Sequence, residues 1–332
     1  METGKLPSHV LTRLLSRTAT APDVLIGPAY GEDAAAVRFG GRILVATSDP
    51  ITFATDRIGS YAVTVNANDI AVLGAQPRYF LATILLPPVS TERDAENVFD
   101  QIKQECDRVG VILIGGHTEI TPTVERAVVC GAMLGETEEG SLVRTSGARV
   151  GDAVVLIGTI AIEGTAILGR EAAAELASRG VSESTIESAK ALLDEPGICV
   201  LDYARAAMRV GGVTSMHDPT EGGLATALRE LAAASGHGIV VERTRIPVLD
   251  ECSRVCSALG LDPLGLIASG SLLVIMPADK AARLVAACAE TGITADAIGE
   301  ITPADEGIRF CDGSPLPLFE RDEIARFFER SR

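Results

Sequence analysis

The chain has 332 residues, of which 47% are hydrophobic and 22% charged, and its formal net charge is -16. This composition predicts a globular protein of two domains, and the negative charge argues against nucleic acid and anionic membranes as partners. The sequence contains no apolar run long enough to span a membrane and no evident secretory signal, so we expect a cytoplasmic protein.

The first half of the chain predicts alternating strands and helices. An amphipathic helix is expected after Pro7. Residues 34–39 and 42–47 predict a β-hairpin with Gly40-Gly41 as its turn, because primed turns need positive φ angles. A largely buried helix, a strand, an amphipathic helix, a short strand and a further strand follow, over 57–75, 78–86, 92–109, 111–114 and 126–134.

A polar, glycine-containing stretch over 137–151 marks the predicted domain boundary, which we place between domains of residues 1–145 and 146–332. Beyond it, the patterns predict helices near 163–178, 183–193 and 199–210, a helix starting near 219, and strands near 153–158, 239–242, 271–276 and 296–300. Strands and helices joined by both short and long connections indicate an α+β fold.

Three aspartates occupy positions where a carboxylate is unusual. Asp33 precedes the first hairpin strand and Asp49 follows the second, so both reach the same end of the hairpin. Strict alternation points them to opposite faces, and their convergence requires the strand to end or to bulge. Asp69 lies on an apolar stripe of the 57–75 helix, where a carboxylate is costly unless it is paired or binds metal. Oxygen ligands without Cys or His favour Mg²⁺, whereas each aspartate taken alone is typical of a turn or a helix cap.

Two glycine pairs follow predicted strands. After Gly115-Gly116 we expect a loop over 115–121 in which the backbone can approach a ligand, with His117 and Glu119 projecting from it. Residues 217–224 (HDPTEGGL) predict a helix start at which Asp218 is the N-cap and Glu221 completes a capping box. Amides at a helix start can bind an anion, although capping alone also explains this pattern.

The remaining motifs exclude several common classes. The sequence has no P-loop, no strand-linked GxGxxG, no GxSxG, no HExxH and no paired CxxC. Cys252 and Cys256 form a CxxxC on a predicted helix, for which a zinc or redox role and a role as small buried hydrophobic residues are both open.

Five segments, in this order, resemble the aminoimidazole ribonucleotide (AIR) synthase-related superfamily. They are GEDAAAV at 31–37, ATSDP at 46–50, NANDIAVLGAQP at 66–77, LIGGHTE at 113–119 and HDPTEGGLATAL at 217–228. This superfamily includes AIR synthase, selenophosphate synthetase, thiamine-monophosphate kinase and the carbamoyl dehydratase that helps to mature nickel-iron hydrogenases. The resemblance is closest to the last branch, the hydrogenase expression/formation protein HypE.

The resemblance implies a two-domain PurM-like fold in which the N-terminal sheets of two subunits form a barrel, flanked by C-terminal α/β sandwich domains. It implies ATP and Mg²⁺ as cofactors, a homodimer and a small-molecule substrate. Carried over by motif, the metal ligands are Asp33, Asp49 and Asp69, and the candidate catalytic residues are His117, Glu119 and Asp218. The implied nucleotide-binding residues are Gly31, Asn68, Gly115, Gly116, Thr118, Gly222 and Gly223.

The implied reaction transfers the γ-phosphate of ATP to an oxygen of the substrate, or uses it to activate an amide oxygen. Hydrogenase-maturation members end in a cysteine, whereas this sequence ends in FFERSR, which argues against thiocarbamate dehydration. His117 stands where kinase-like members have an aspartate, and GGHT is similar to selenophosphate synthetase. Two alternatives are a non-catalytic nucleotide-binding assembly protein and a thiamine-monophosphate-kinase-like enzyme.

Overall fold

The computed structural model describes residue 6 and residues 8–52 and 56–330. Pro7, after which a helix is predicted, and the last two residues of the FFERSR ending lie outside the described residues. The chain forms two compact units. The N-terminal unit consists of Ala19–Pro28 and Asp33–Leu142, and the C-terminal unit consists of Met1–Thr18, Ala29–Glu32 and Val143–Arg332. The division at Leu142 and Val143 lies close to the predicted boundary, but two early segments belong to the C-terminal unit.

The N-terminal unit is a mixed sheet with two helices against one face. Its strands are β1 (Val24–Ile26), β2 (Ala35–Phe39), β3 (Arg42–Thr47), β4 (Pro50–Ile51), β5 (Gln76–Leu86), β6 (Ile112–Ile120) and β7 (Val128–Thr137), and its helices are α2 (Ile58–Val72) and α3 (Glu92–Val109). The strand order is β1-β2-β3-β7-β5-β6, and β4 also pairs with β7. Only β5 and β6 run parallel to each other among these pairs.

The predicted hairpin is confirmed together with its register. Strands β2 and β3 pair from Ala35 opposite Ala46 to Phe39 opposite Arg42. Gly40 and Gly41 have φ angles of 57° and 85°, values that glycine adopts without steric cost. A tight glycine turn therefore fixes the end of the sheet at which Asp33 and Asp49 lie.

Strand β6 corrects the prediction of a loop over 115–121. The strand continues through both glycines to Ile120 and pairs in parallel with β5. Gly116 lies opposite Ala82, and a Cβ added at Gly116 would lie 1.9 Å from the Ala82 carbonyl oxygen. The glycine thus permits the close approach of two strands, which the sequence pattern does not distinguish from a turn.

The C-terminal unit is a six-stranded mixed sheet with helices. Its strands are β8 (Asp152–Ile157), β9 (Ser215–His217), β10 (Gly238–Val241), β11 (Leu272–Pro277), β12 (Ala295–Thr302) and β13 (Ile308–Phe310), in the order β13-β10-β12-β8-β11-β9. Its helices are α1 (Ser8–Leu15), α4 (Ile162–Glu171), α5 (Ala173–Ser178), α6 (Glu183–Ala191), α7 (Leu201–Val210), α8 (Gly223–Ser235), α9 (Asp250–Leu259), α10 (Ala278–Glu290) and α11 (Glu323–Arg330). The two sheets and their helices confirm the α+β class.

The predicted capping box before α8 is wrong. The helix begins at Gly223, and its N-cap is Gly222, which has a φ angle of 82° and no side-chain cap. Residues 218–222 form the turn before the helix, because the left-handed conformation at Gly222 interrupts helical geometry there. No helix in the described residues is long and apolar enough to cross a membrane.

Candidate functional site

Thr47 connects two of the predicted metal-binding segments. Its hydroxyl donates a 2.7 Å hydrogen bond to Oδ2 of Asp69 and lies 3.2 Å from the carbonyl oxygen of Asp33. Thr47 is the last residue of β3, and Asp69 lies on α2 with only 5% of its surface exposed. A buried carboxylate needs such a partner, so the end of the hairpin and the buried helix are joined at Asp69.

Asn66 connects the third segment to the same helix. Its Oδ1 accepts a 3.0 Å hydrogen bond from the backbone N–H of Asp49, and its Nδ2 donates to the carbonyl oxygens of Asp49 and Ala62 at 3.3 and 2.8 Å. Asn66 and Asn68 are both fully buried. The prediction of a largely buried helix over 57–75 is confirmed, because nearly all of α2 is buried.

The chain between β3 and β4 keeps its register with β7. Thr47 pairs with Met133 and Pro50 with Cys130, so three residues on one strand match three on the other and none is inserted. Asp49 therefore shares a face with Thr47, two residues before it. The bulge considered for this segment is not present, but β3 ends at Thr47, before Asp49, which is the other condition named for convergence. The convergence of the Asp33 and Asp49 carboxylates stays a prediction.

The structure places the backbone of Asp33 near Thr47, and Asp33 itself is half-buried. Among the described residues, no three His, Cys, Asp or Glu side chains are gathered closely enough to enclose a metal ion. Mg²⁺ commonly takes only one or two carboxylates and completes its shell with water and phosphate oxygens. The oxygen donors on this face fit that preference, and the assignment of all three aspartates to a metal stays a prediction.

His117 and Glu119 lie on the other face of the N-terminal sheet. Their neighbours Gly116 and Thr118 pair with Ala82 and Ile84, which are buried under the helices. Since side chains alternate along a strand, His117 and Glu119 point away from α2 and α3. They form a 3.2 Å contact between His117 Nε2 and Glu119 Oε2 and are largely exposed. The structure does not bring this pair to the face that holds Asp69.

Thr118 lines a shallow groove on the helix-covered face. The groove is formed by Ile84 and Thr118 of the sheet and by Ala95, Glu96, Phe99 and Asp100 of α3. Gly115 and Gly116 precede it in β6, and neither glycine forms the predicted ligand-approaching loop. The nucleotide-binding assignments of these three residues stay predictions.

Asp218 and Gly31 belong to the C-terminal unit. Asp218 follows β9 directly and is 1% exposed. The preceding His217 is also buried, and its Nε2 lies 3.0 Å from Glu230 Oε2 on α8. Gly31 packs against the same helix, since an added Cβ would lie 3.0 Å from the Glu230 carbonyl oxygen. The His217–Glu230 pair, which the sequence analysis did not identify, fixes the backbone next to Asp218.

The Gly222-Gly223 turn is built for close packing. A Cβ added at Gly223 would lie 2.6 and 2.7 Å from the carbonyl oxygens of Leu264 and Leu266. The backbone N–H of Gly222 donates a 2.6 Å hydrogen bond to Oδ2 of Asp322, a residue that no motif indicated. The Gly222 amide is thus satisfied within the protein.

The CxxxC pair is part of the core. Cys252 and Cys256 are buried on α9 as free thiols. Burial raises the pKa of Cys252 to about 11 and raises that of Cys256 still further. Thiols that resist ionisation are poor metal ligands and poor nucleophiles, so the structure favours the core role.

Comparison with known proteins gives matches over most of the chain. Residues 31–137 match the N-terminal domain of AIR synthase related proteins, and residues 149–312 match the C-terminal domain. The carbamoyl dehydratase HypE of Cupriavidus necator is 33% identical over 284 residues, which cover 82% of this chain and 77% of the relative.

Two solved structures extend these matches to the fold. The hydrogenase maturation protein HypE in complex with ATP is 24% identical with a TM-score of 0.70, and the match covers 98% of each chain. Thiamine monophosphate kinase from Aquifex aeolicus is 22% identical with a TM-score of 0.68, over 86% of this chain and 92% of the kinase. The expected PurM-like fold is thereby confirmed for the chain.

Proposed function

Because the chain belongs to the AIR synthase-related family, we propose that it is an enzyme that binds ATP with Mg²⁺ and transfers the γ-phosphate to an oxygen of a small substrate. One relative is a carbamoyl dehydratase, and one structural neighbour was solved with ATP. An amide oxygen is a suitable acceptor, since phosphorylation converts a poor leaving group into phosphate.

The hydrogen bond from Thr47 to Asp69 is the observation that carries this proposal. It joins two motif segments that are 22 residues apart, on a face that also holds the Asp49–Asn66 contact. Asp69 is buried on an apolar helix, where a carboxylate needs polar partners, and Thr47 is one of them. A cation bound at this face would stabilise the carboxylates further.

In this proposal one or two of the carboxylates of Asp33, Asp49 and Asp69 would bind Mg²⁺ directly, and water and phosphate oxygens would complete its shell. When bound, the ion supplies charge stabilisation and positioning for phosphoryl transfer. Thr47 orients the Asp69 carboxylate, and Asn66 fixes the backbone of Asp49. Asn68 is proposed to contact the nucleotide. Gly31 and the Gly222-Gly223 turn are proposed as nucleotide-binding residues of the C-terminal unit, and Asp218 is proposed as its catalytic group.

The open face of the N-terminal sheet is proposed to bind a second copy of the chain. Strand β6 is an edge strand that is exposed along nearly its whole length. Tyr79 and Ile112, which pair across β5 and β6, are 41% and 61% exposed. An apolar edge of this kind is a liability in a monomer. We place His117 and Glu119 at this interface, so their part in the reaction depends on the dimer.

Phosphate release from ATP tests the proposal. The assay measures turnover with and without Mg²⁺ over a panel of carboxamides, thiamine monophosphate and selenide. We expect Mg²⁺-dependent turnover that falls at least about 100-fold in Asp49→Asn. Asp107→Asn, an exposed carboxylate on α3 of the same unit, is the matched control and keeps wild-type turnover.

The outcomes separate the alternatives. Turnover only with thiamine monophosphate would assign the kinase activity suggested by the fold of the Aquifex enzyme. Tight ATP binding with no phosphate release from any panel member would assign a non-catalytic nucleotide-binding role. Wild-type turnover in Asp49→Asn would contradict the proposed metal site.

A further inference from the structure

One loop of the C-terminal unit joins three distant segments. This loop, residues 264–271, is called the hub loop below. Its Ile267 carbonyl oxygen accepts a 3.1 Å hydrogen bond from the backbone N–H of Gly164 in α4. The N–H of the next residue, Ala268, donates at 3.3 Å to the carbonyl oxygen of Thr220 in the glycine turn. The hub loop therefore ties the start of α4 to the turn that precedes α8.

Asp322, in the C-terminal segment, forms a hydrogen bond with the glycine turn. Its Oδ2 accepts the 2.6 Å hydrogen bond from Gly222, and its Oδ1 accepts a 2.8 Å bond from the N–H of Ile324. The backbone of Ile267 in the hub loop also donates to this carboxylate. Three N–H donors from three segments thus converge on one carboxylate that is 7% exposed.

Glu163 approaches the hub loop from α4. It is 5% exposed and is hydrogen-bonded to Ser269, but its Oε2 has no hydrogen-bond partner among the described residues. An ionised carboxylate with such an oxygen is costly in a buried setting, whereas the neutral acid costs much less. The local structure therefore favours a protonated Glu163.

Burial and nearby negative charges raise the pKa values of both Glu163 and Asp322. Burial raises the pKa of Glu163 to about 7. The negative charges of Asp322 and Glu221 also raise it, whereas the hydrogen bonds from Ser269 lower it. Burial also raises the pKa of Asp322 to about 7, against the effect of its backbone donors and with a further rise from Glu221. Asp322 ionises first because three N–H groups surround its oxygens, and Glu163 keeps the proton.

We propose that Glu163, in its neutral form, and Asp322, in its charged form, are positioning residues that, through the hub loop, set how firmly the Gly222-Gly223 turn is held. Asp322 acts on the turn directly through the Gly222 amide. Glu163 acts through Ser269 and the hub loop. The catalytic consequence rests on the proposed function, in which this turn contacts the nucleotide or substrate, but the structural consequence does not.

The proposal makes the turn sensitive to pH. When Glu163 also loses its proton, a second negative charge is buried beside Asp322 and Glu221. Burial and repulsion outweigh the Ser269 hydrogen bonds, which by themselves favour the charged form, so states in which Glu163 leaves this buried position and the hub loop releases Thr220 become more favourable. Protection of the turn is accordingly highest near pH 4.5, decreases as pH rises through about 7, and then levels off.

Hydrogen exchange of the full-length protein tests this directly. Protection of the 219–224 amides, corrected for the intrinsic pH dependence of exchange, is measured from pH 6 to 8.5. We expect wild-type protection to fall at least about 10-fold across this range, and to stay constant in Glu163→Gln, which has the same shape but cannot ionise. Asp322→Asn, which keeps one acceptor oxygen, is expected to lower protection at every pH.

Asp312→Asn is the matched control, since this exposed carboxylate lies ten residues before Asp322 and should leave the wild-type profile unchanged. The same pH profile in wild type and Glu163→Gln would overturn the proposal.

If ATP turnover is detected, its alkaline decline should also disappear in Glu163→Gln. Absence of turnover in the wild type would contradict the proposed function, whereas the exchange profile would still decide the role of the carboxyl pair.

Discussion

Thr47 donates a hydrogen bond to the buried carboxylate of Asp69 across 2.7 Å, from the last residue of a strand to the last turn of a helix. The contact helps to orient the carboxylate. A side chain that orients a metal ligand commonly affects metal affinity by about 10–100-fold. Substitution of Thr47 therefore tests the proposed metal site as substitution of the aspartates does.

Replacing Thr47 tests its role in orienting Asp69. In Thr47→Val the shape is kept but the hydroxyl is lost, so we expect Mg²⁺-dependent ATP turnover to fall about 10–100-fold, with a weaker apparent affinity for Mg²⁺. Thr47→Ser retains the donor and should stay within about threefold of wild type. Equal losses in both variants would show that the methyl group, and not the hydrogen bond, is what matters.

Gly116 is expected to be essential for the sheet. In Gly116→Ala the new Cβ would meet the Ala82 carbonyl oxygen at 1.9 Å, and β5 and β6 would have to separate. We expect the free energy of unfolding to fall by on the order of 3 kcal/mol or more in chemical denaturation. Gly115→Ala has a similar φ angle, 158° against 150°, and therefore a similar backbone strain, but its Cβ meets nothing within 4 Å. It is the neighbouring control and should cost clearly less. Similar losses would argue against the close strand approach.

Glu163 predicts a pH dependence of stability. Its pKa is about 7 in the folded protein, against an ordinary value of 4.5, so the folded state holds a proton that the unfolded state releases between these two pH values. The free energy of unfolding therefore falls as pH rises from 4.5 to 7. Glu163→Gln removes this cost. At pH 8 its free energy of unfolding should exceed that of wild type by on the order of 1–3 kcal/mol, and it should unfold at a higher temperature.

The difference between Glu163→Gln and wild type should vanish near pH 4, where the wild-type carboxyl is neutral in both states. Thermal unfolding followed by circular dichroism at pH 4 and pH 8 measures both values. A variant that is less stable than wild type at pH 8 would show that the charged form of Glu163 is the stabilising one.

The exposed edge of the N-terminal sheet predicts the oligomeric state. Ile112 is 61% exposed on β6, and Ile112→Lys would place a charge within the proposed dimer interface. We expect wild type to have the mass of a dimer in light scattering and the variant to have the mass of a monomer. Val89→Lys, at a position 84% exposed in the same unit, should remain dimeric. A monomeric wild type would remove the proposed interface.

Local patterns predicted the hairpin well. The Gly40-Gly41 turn set its register, and that register placed Asp33 and Asp49 at one end without further information. Helix α3 has the predicted bounds, since Thr91 and Gly110 cap its two ends. In these cases the deciding interactions lie within a few residues of each other in sequence.

The errors occur where distant residues decide the structure. Gly115-Gly116 has the composition of a turn, but its conformation follows from pairing with Ala82, about 34 residues away. The DPTE sequence has the pattern of a capping box, but Asp322, 100 residues away, satisfies the Gly222 amide. The links made by Thr47 and Asn66 were likewise invisible, because hydroxyl and amide side chains carry no periodic signal.

Nucleotide binding by Asp69→Asn tests the central claim most directly. Asparagine keeps the size of the buried side chain and can still accept the Thr47 hydrogen bond, so the change removes the charge and exchanges one acceptor oxygen for an NH2 group. Titration calorimetry with ATP, with and without Mg²⁺, should show that Mg²⁺ strengthens binding to wild type and to the Asp107→Asn control but not to Asp69→Asn. An equal effect of Mg²⁺ on all three proteins would contradict the account.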